Sequence, residues 1–197
     1  MTARTTISIA ATAALIALTA SPAFADGGKS TFATNLTGYQ ETTVTINSPG
    51  SGEFAAKVNR DGTAIDWVLS YRDLPTTVLQ SHIHFGRPGL SGGIVLFLCT
   101  NLGNGPAGAP TPQACPQAPV GGATATLSGT LTAADVMPQP NQGIAAGAAG
   151  FAAIVAALQN GAAYANVHTD QFKSGEIRGA LGKAHDHGND DGDNDND

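Results

Sequence analysis

The chain has 197 residues, of which only 12% are charged while 25 are glycine, and its formal net charge is -6. Six aspartates and no lysine or arginine fall between His185 and Asp197, so the rest of the chain balances nine acids against nine bases. A neutral body with an acidic tail lacks the clustered cations that nucleic acid or an anionic membrane surface would require, and both are excluded as partners.

Arg4 precedes an apolar run from Ile7 to Ala20, and Ser21, Pro22 and Ala23-Phe24-Ala25 follow it. This is the layout of a secretory leader cleaved after Ala25, and the run is too short for a membrane span of about 20 residues. Localisation outside the cell or in the envelope is expected. Residues 26–30 are expected to be a disordered lead-in, 31–183 a single domain, and 184–197 a disordered tail too polar to bury itself. The tail's aspartates, with His185 and His187, offer weak calcium binding at most, because EF-hand spacing is absent.

Within the body, Thr31 to Leu36 reads as a strand, and Tyr39 to Ile46 continues in β-type residues until Asn47-Ser48-Pro49-Gly50 breaks it. Phe54, Ala56 and Val58 alternate with more polar neighbours, as do Ile65, Trp67, Leu69 and Tyr71. The turn between them contains Asp61-Gly62, which supplies the positive φ of a tight hairpin. Val78 to Phe85 is a strand and Gly86 to Gly93 a turn. Ile94 to Cys99 is a strand apolar on both faces, hence expected to be central. Thr124 to Leu131 is a further strand. Phe151, Ile154, Val155 and Leu158 recur at helical spacing within Ala148 to Gln159, and Asn160-Gly161 stops the helix. Tyr164 to His168 and Glu176 to Leu181 close the domain as strands. Strands dominate, so the fold class is all-β: an antiparallel Greek-key-like β-sandwich, immunoglobulin-like or superoxide-dismutase-like, with one short helix.

Cys99 and Cys115 are the only cysteines. An even count in an exported chain points to a disulfide across the Gly- and Pro-rich segment between them, and the absence of Cys-x-x-Cys spacing argues against a redox pair.

Two strings carry the chemistry. In SHIHFG, His82 and His84 lie two apart on a strand and so share a face. In ANVHTDQFKSGEIRGAL, Tyr164, Asn166 and His168 share a face, as do Glu176 and Arg178. These strings, together with TFATNLTGYQET and GSGEFAAKVNRDGTAIDWVLSYRDL, resemble the CHRD domain, the module named after chordin, across Thr31 to Lys183. The resemblance implies an extracellular β-rich domain. Chordin's cysteine-rich modules have no counterpart here, so growth-factor binding is not implied.

Three imidazoles from His82, His84 and His168 could hold copper or zinc. SHIHFG is also similar to the metal-binding strand of copper-zinc superoxide dismutase, although that family's bridging histidine and further zinc ligands are not matched. In the plainer alternative the histidines are buried and hydrogen-bonded to Asn166, Thr169, Glu176 or main-chain carbonyls. Glu176 and Arg178 are expected either to form an inter-strand salt bridge or, with Asn166 and Thr169, to rim the site. Arg87 and Asp170 are more distant rim residues. Ser81 faces away from His82, so no serine nucleophile is indicated, and no catalytic residue is assigned. The leading reading is a non-enzymatic extracellular binding or structural module whose partner is a protein or polysaccharide. The alternative is a three-histidine copper or zinc protein, redox-active or dismutase-like.

Overall fold

The computed structural model describes residues 30–182. The leader, most of the lead-in segment and the acidic tail lie outside them. Eight strands and one helix follow in order: β1 (Thr31–Thr37), β2 (Ser51–Val58), β3 (Ala64–Arg72), β4 (Val78–Phe85), β5 (Gly93–Thr100), β6 (Ala125–Thr132), α1 (Gly147–Gln159), β7 (Ala163–Thr169) and β8 (Ile177–Leu181).

The β2–β3 hairpin forms as its alternation requires. Phe54 opposes Leu69, Ala56 opposes Trp67 and Val58 opposes Ile65, so one face is continuously apolar. Gly62 takes φ 68°, and the Asn59 side chain accepts the Thr63 and Ala64 amides at 2.8 and 3.2 Å. Gly62 therefore supplies the reversal and Asn59 satisfies the donors it exposes.

All pairings are antiparallel, and the strand order is β5-β4-β7-β8-β1-β2-β3-β6. The expected pair of separate layers is thus replaced by one sheet, curved until it is nearly a barrel. Its two four-stranded halves are joined by a single register pair, Thr37 with Arg178. Close approach at this seam requires glycine: a Cβ on Gly179 would lie 2.6 Å from the Asn35 carbonyl oxygen. Phe32, Phe54 and Leu69 from one half and Ile83, Val167 and Ile177 from the other belong to one buried cluster. Each such side chain contributes about 1.5–3 kcal/mol by leaving water.

Two local expectations fail. Residues 39–46 are not a strand, because Gly38–Gln40 forms a 3-10 turn whose Gly38 carbonyl accepts the Glu41 and Ile46 amides at 3.2 and 2.9 Å. That closes a loop where the side chains would have suited a sheet. β5 is at one end of the strand order rather than central. It is apolar on both faces because other chain segments seal its free edge. Met137 donates its amide to the Val95 carbonyl at 2.9 Å, the Gln139 side chain reaches the Ile94 carbonyl at 2.7 Å, and the Thr100 amide donates to Gln113 at 2.9 Å.

Helix α1 buries Phe151, Ile154 and Leu158 and ends at Asn160 and Gly161, whose φ is 63°. No helix among the described residues is long and apolar enough to cross a membrane. Cys99 and Cys115 form the expected disulfide.

Candidate metal centre

Strand alternation places Ile83 in the core and turns His82 and His84 to the opposite face of the sheet. The neighbouring strands complete that face. His82 opposes Asn166, His84 opposes Tyr164 and Gln80 opposes His168 on β7, while Phe97 on β5 opposes His82 and Arg178 on β8 opposes Asn166. Against β5 the register slips between Ser81 and His82 and again between Ile83 and His84. Such irregularities re-aim side chains locally.

This outer face is not open to water. His82, His84 and His168 are 0%, 7% and 6% exposed, and Phe97 and Tyr164 are buried without belonging to the core cluster. Arg178 ties down the chain that covers it: its guanidinium donates to the Thr42 hydroxyl at 2.6 Å and to the Leu90 and Arg87 carbonyls at 2.7 and 3.4 Å. The Gly92 amide donates to the Tyr164 hydroxyl at 3.2 Å, and Thr42 meets Ser91 at 3.0 Å. Residues 38–50 and 86–92 therefore form a lid over the histidines.

Hydrogen bonds fix two of the three tautomers. His84 Nδ1 lies 3.0 Å from the Gly92 carbonyl and His168 Nδ1 lies 2.9 Å from the Lys173 carbonyl. A carbonyl only accepts, so both Nδ1 atoms carry the proton and both Nε2 atoms present bare lone pairs. This is the outer bonding that prepares an imidazole for a metal. His168 Nε2 faces His82 Nδ1 at 3.2 Å, from which it can accept, and has the Asn166 Oδ1, an acceptor, 3.0 Å away. The Nε2 atoms of His82 and His84 are buried and have no hydrogen-bond partner.

One ligand nitrogen from each of the three residues lies within 4.8 Å of the others. Three nitrogens held at 2.0–2.1 Å by one metal would be about 3.3–3.6 Å apart, so the rings would draw inward by up to about 0.7 Å each to close the set.

Burial drives His82 down to about 2, helped by the nearby His168 and His84. Burial likewise drives His84 down to about 4, with His168 and the Arg178 charge acting in the same direction. It also lowers His168. All three rings are consequently neutral near pH 7, the form that coordinates metal.

Tyr164 lies between two of these groups on the sheet. Its ring stacks on His84 with centroids 4.6 Å apart and planes 4° from parallel, and the Arg178 guanidinium carbon lies 3.4 Å from its centroid. Glu41 reaches in from the lid. Burial raises its carboxyl to about 7 against the pull of Arg178, and its Oε1 has no hydrogen-bond partner.

The expected rim is only partly assembled. Asn166 reaches His168, its Oδ1 3.0 Å from Nε2, but Thr169 and Glu176 bond each other at 2.6 Å instead of a histidine. Glu176 also holds the Ser48 hydroxyl, so its carboxylate fastens the lid segment to the turn before β8. Among the described residues Glu176 and Arg178 form no salt bridge; both are buried and each has separate partners. Arg87 contributes its carbonyl and not its guanidinium. Asp170 lies on the surface, paired with Lys173 at 3.8 Å. Thr42, the Gly92 carbonyl and Phe97 were not legible as site residues. Tyr164 was signalled by sharing a strand face with Asn166 and His168.

The fold and this face define a disulfide-bonded, all-β domain with a buried cluster of three neutral imidazoles. The family model of the CHRD domain matches residues 32–181, and the chain belongs to that family. No curated protein and no solved structure matches it.

Proposed function

We propose that the domain is an exported, non-enzymatic binding module whose cargo is a transition-metal ion, copper or zinc, held by His82, His84 and His168. The observation that carries this reading is the pair of buried, unpartnered Nε2 atoms on His82 and His84, with a ligand nitrogen of each of the three histidines within 4.8 Å of the others. A buried nitrogen without a partner costs about 1–3 kcal/mol. Histidines serving only to pin the sheet would be expected to direct these two atoms to carbonyls or hydroxyls; a metal ion satisfies both at once and draws in His168.

The disulfide and the extracellular type of the domain support export through the leader cleaved after Ala25. Burial of the three rings beneath the lid favours holding an ion over turning over a substrate, which is why a binding role is preferred to a dismutase-like one. The Lys173 carbonyl orients His168 beside Asn166, while Thr169, Glu176 and Arg178 hold the surrounding chain.

The test is metal analysis of protein purified without an affinity tag and with His185 and His187 replaced by glutamine. One equivalent of copper or zinc is expected after equilibrium dialysis, and it should be lost in His84→Ala with the β-rich circular dichroism retained. A folded protein that takes up neither metal would refute the proposal.

A further inference from the structure

Resting on the three-histidine reading above, we infer that the site selects monovalent copper, Cu(I), over the divalent ions Zn(II) and Cu(II). The argument concerns charge. Among the described residues the ligand set contains only neutral imidazoles, and both cysteines are consumed by the disulfide. The fully buried Glu176 is spoken for by Ser48 and Thr169. A metal placed here keeps its full formal charge in a region shielded from water.

Burying uncompensated charge is costly, and the solvation cost rises steeply from one elementary charge to two. Arg178 sharpens the discrimination. Its guanidinium is buried, lies against Tyr164, and is separated from His84 only by that ring in the order of strands. Its three acceptors, the Thr42 hydroxyl and two main-chain carbonyls, are all uncharged. A fixed cation at that position opposes every further positive charge, and opposes a divalent ion twice as strongly as a monovalent one. Glu41 is the carboxyl that acts on Arg178 electrostatically, and burial holds it largely protonated below about 7.

Coordination number points the same way. Zn(II) in protein sites takes four ligands, and here it would have to add one to three imidazoles under a lid. Cu(I) is a closed-shell ion content with two or three nitrogens.

The decisive measurement is competition on the full secreted chain carrying His185→Gln and His187→Gln. Cu(I) is presented under ascorbate against bicinchoninate, and Zn(II) and Cu(II) against chromophoric chelators of known affinity. Because unshielded charge costs several-fold more for a divalent ion, Cu(I) is expected to bind at least about a hundredfold more tightly than Zn(II). X-ray absorption of the Cu(I) form should show two or three nitrogen neighbours and no sulfur. Arg178→Met, which keeps length and removes charge, should narrow the Cu(I)-to-Zn(II) gap by about tenfold. Zn(II) or Cu(II) binding within tenfold of Cu(I) would overturn the selectivity and leave the histidine site standing. Failure to bind any of the three ions, or binding undiminished in a folded His168→Leu protein, would overturn the site itself.

Discussion

Acidification of the metal-free protein from pH 6.5 to pH 5.0 should unfold it more readily, and the size of the effect follows from the buried histidines. In the unfolded chain His82 and His84 titrate near 6.5, whereas in the folded protein burial holds them at about 2 and about 4. The folded values are depressed, so the associated stability is complete above the unfolded pKa and is lost as pH falls below it. Over this interval the unfolded chain holds from half to nearly a whole proton at each site and the folded protein almost none, which integrates to a loss of roughly 3 kcal/mol for the two together. His168 is lowered as well and adds to the loss. Glu41 works in the opposite direction, because its folded carboxyl is raised from 4.5 to about 7 and it takes up its proton more readily in the native state. Its partial exposure limits that gain to roughly 1–2 kcal/mol, leaving a net fall of about 2 kcal/mol or more out of a typical 5–15. Urea titrations followed by the fluorescence of the single tryptophan, Trp67, which is 3% exposed, measure this directly. His84→Gln should flatten the pH dependence. Equal or greater stability at pH 5.0 would refute the burial argument and with it the neutral state of the three rings.

Gly179→Ala should destabilise the domain by about 1–3 kcal/mol, an overpacking cost, since the added methyl would meet the Asn35 carbonyl oxygen at 2.6 Å, main chain that cannot turn aside. Thermal melts should fall by several degrees, and an unchanged midpoint would show that the seam between the halves is slack. Replacing both Cys99 and Cys115 by serine removes a closure of sequence separation 16 and should cost about 3 kcal/mol in urea titrations, while metal stoichiometry stays at that of the parent.

Much of the architecture could be read from residue order because strand alternation, turn glycines and helical spacing are local signals. The hairpin at Gly62, the strand from Val78 to Phe85 and the helix ending at Gln159 all lie where those signals put them. Sheet closure was not legible, because it depends on the long-range meeting of Thr37 with Arg178 and on segments that cover the free edge of β5. The strand 39–46 failed for a related reason: a 3-10 turn at Gly38 outweighed favourable β composition. The three histidines could be grouped because two share a strand face and the third is on a strand of the same type. Their covering could not be anticipated. Gly92 and Lys173 take part through carbonyl oxygens, which no side-chain pattern encodes, and Arg178 turned from the expected acid toward the lid.

The 86–92 part of the lid is gripped mainly through its peptide groups. Arg178 takes hold of the carbonyls of Arg87 and Leu90, His84 that of Gly92, and Tyr164 the Gly92 amide, while the side chains of Arg87, Pro88 and Leu90 project outward. Apart from Gly89, at φ 78°, and Gly92, where a Cβ would run into the Phe85 carbonyl oxygen, the anchoring does not depend on which side chains decorate the segment. Its exterior can therefore be rewritten, by drift or by design, to suit a new neighbour or surface, leaving the chemistry underneath as it was.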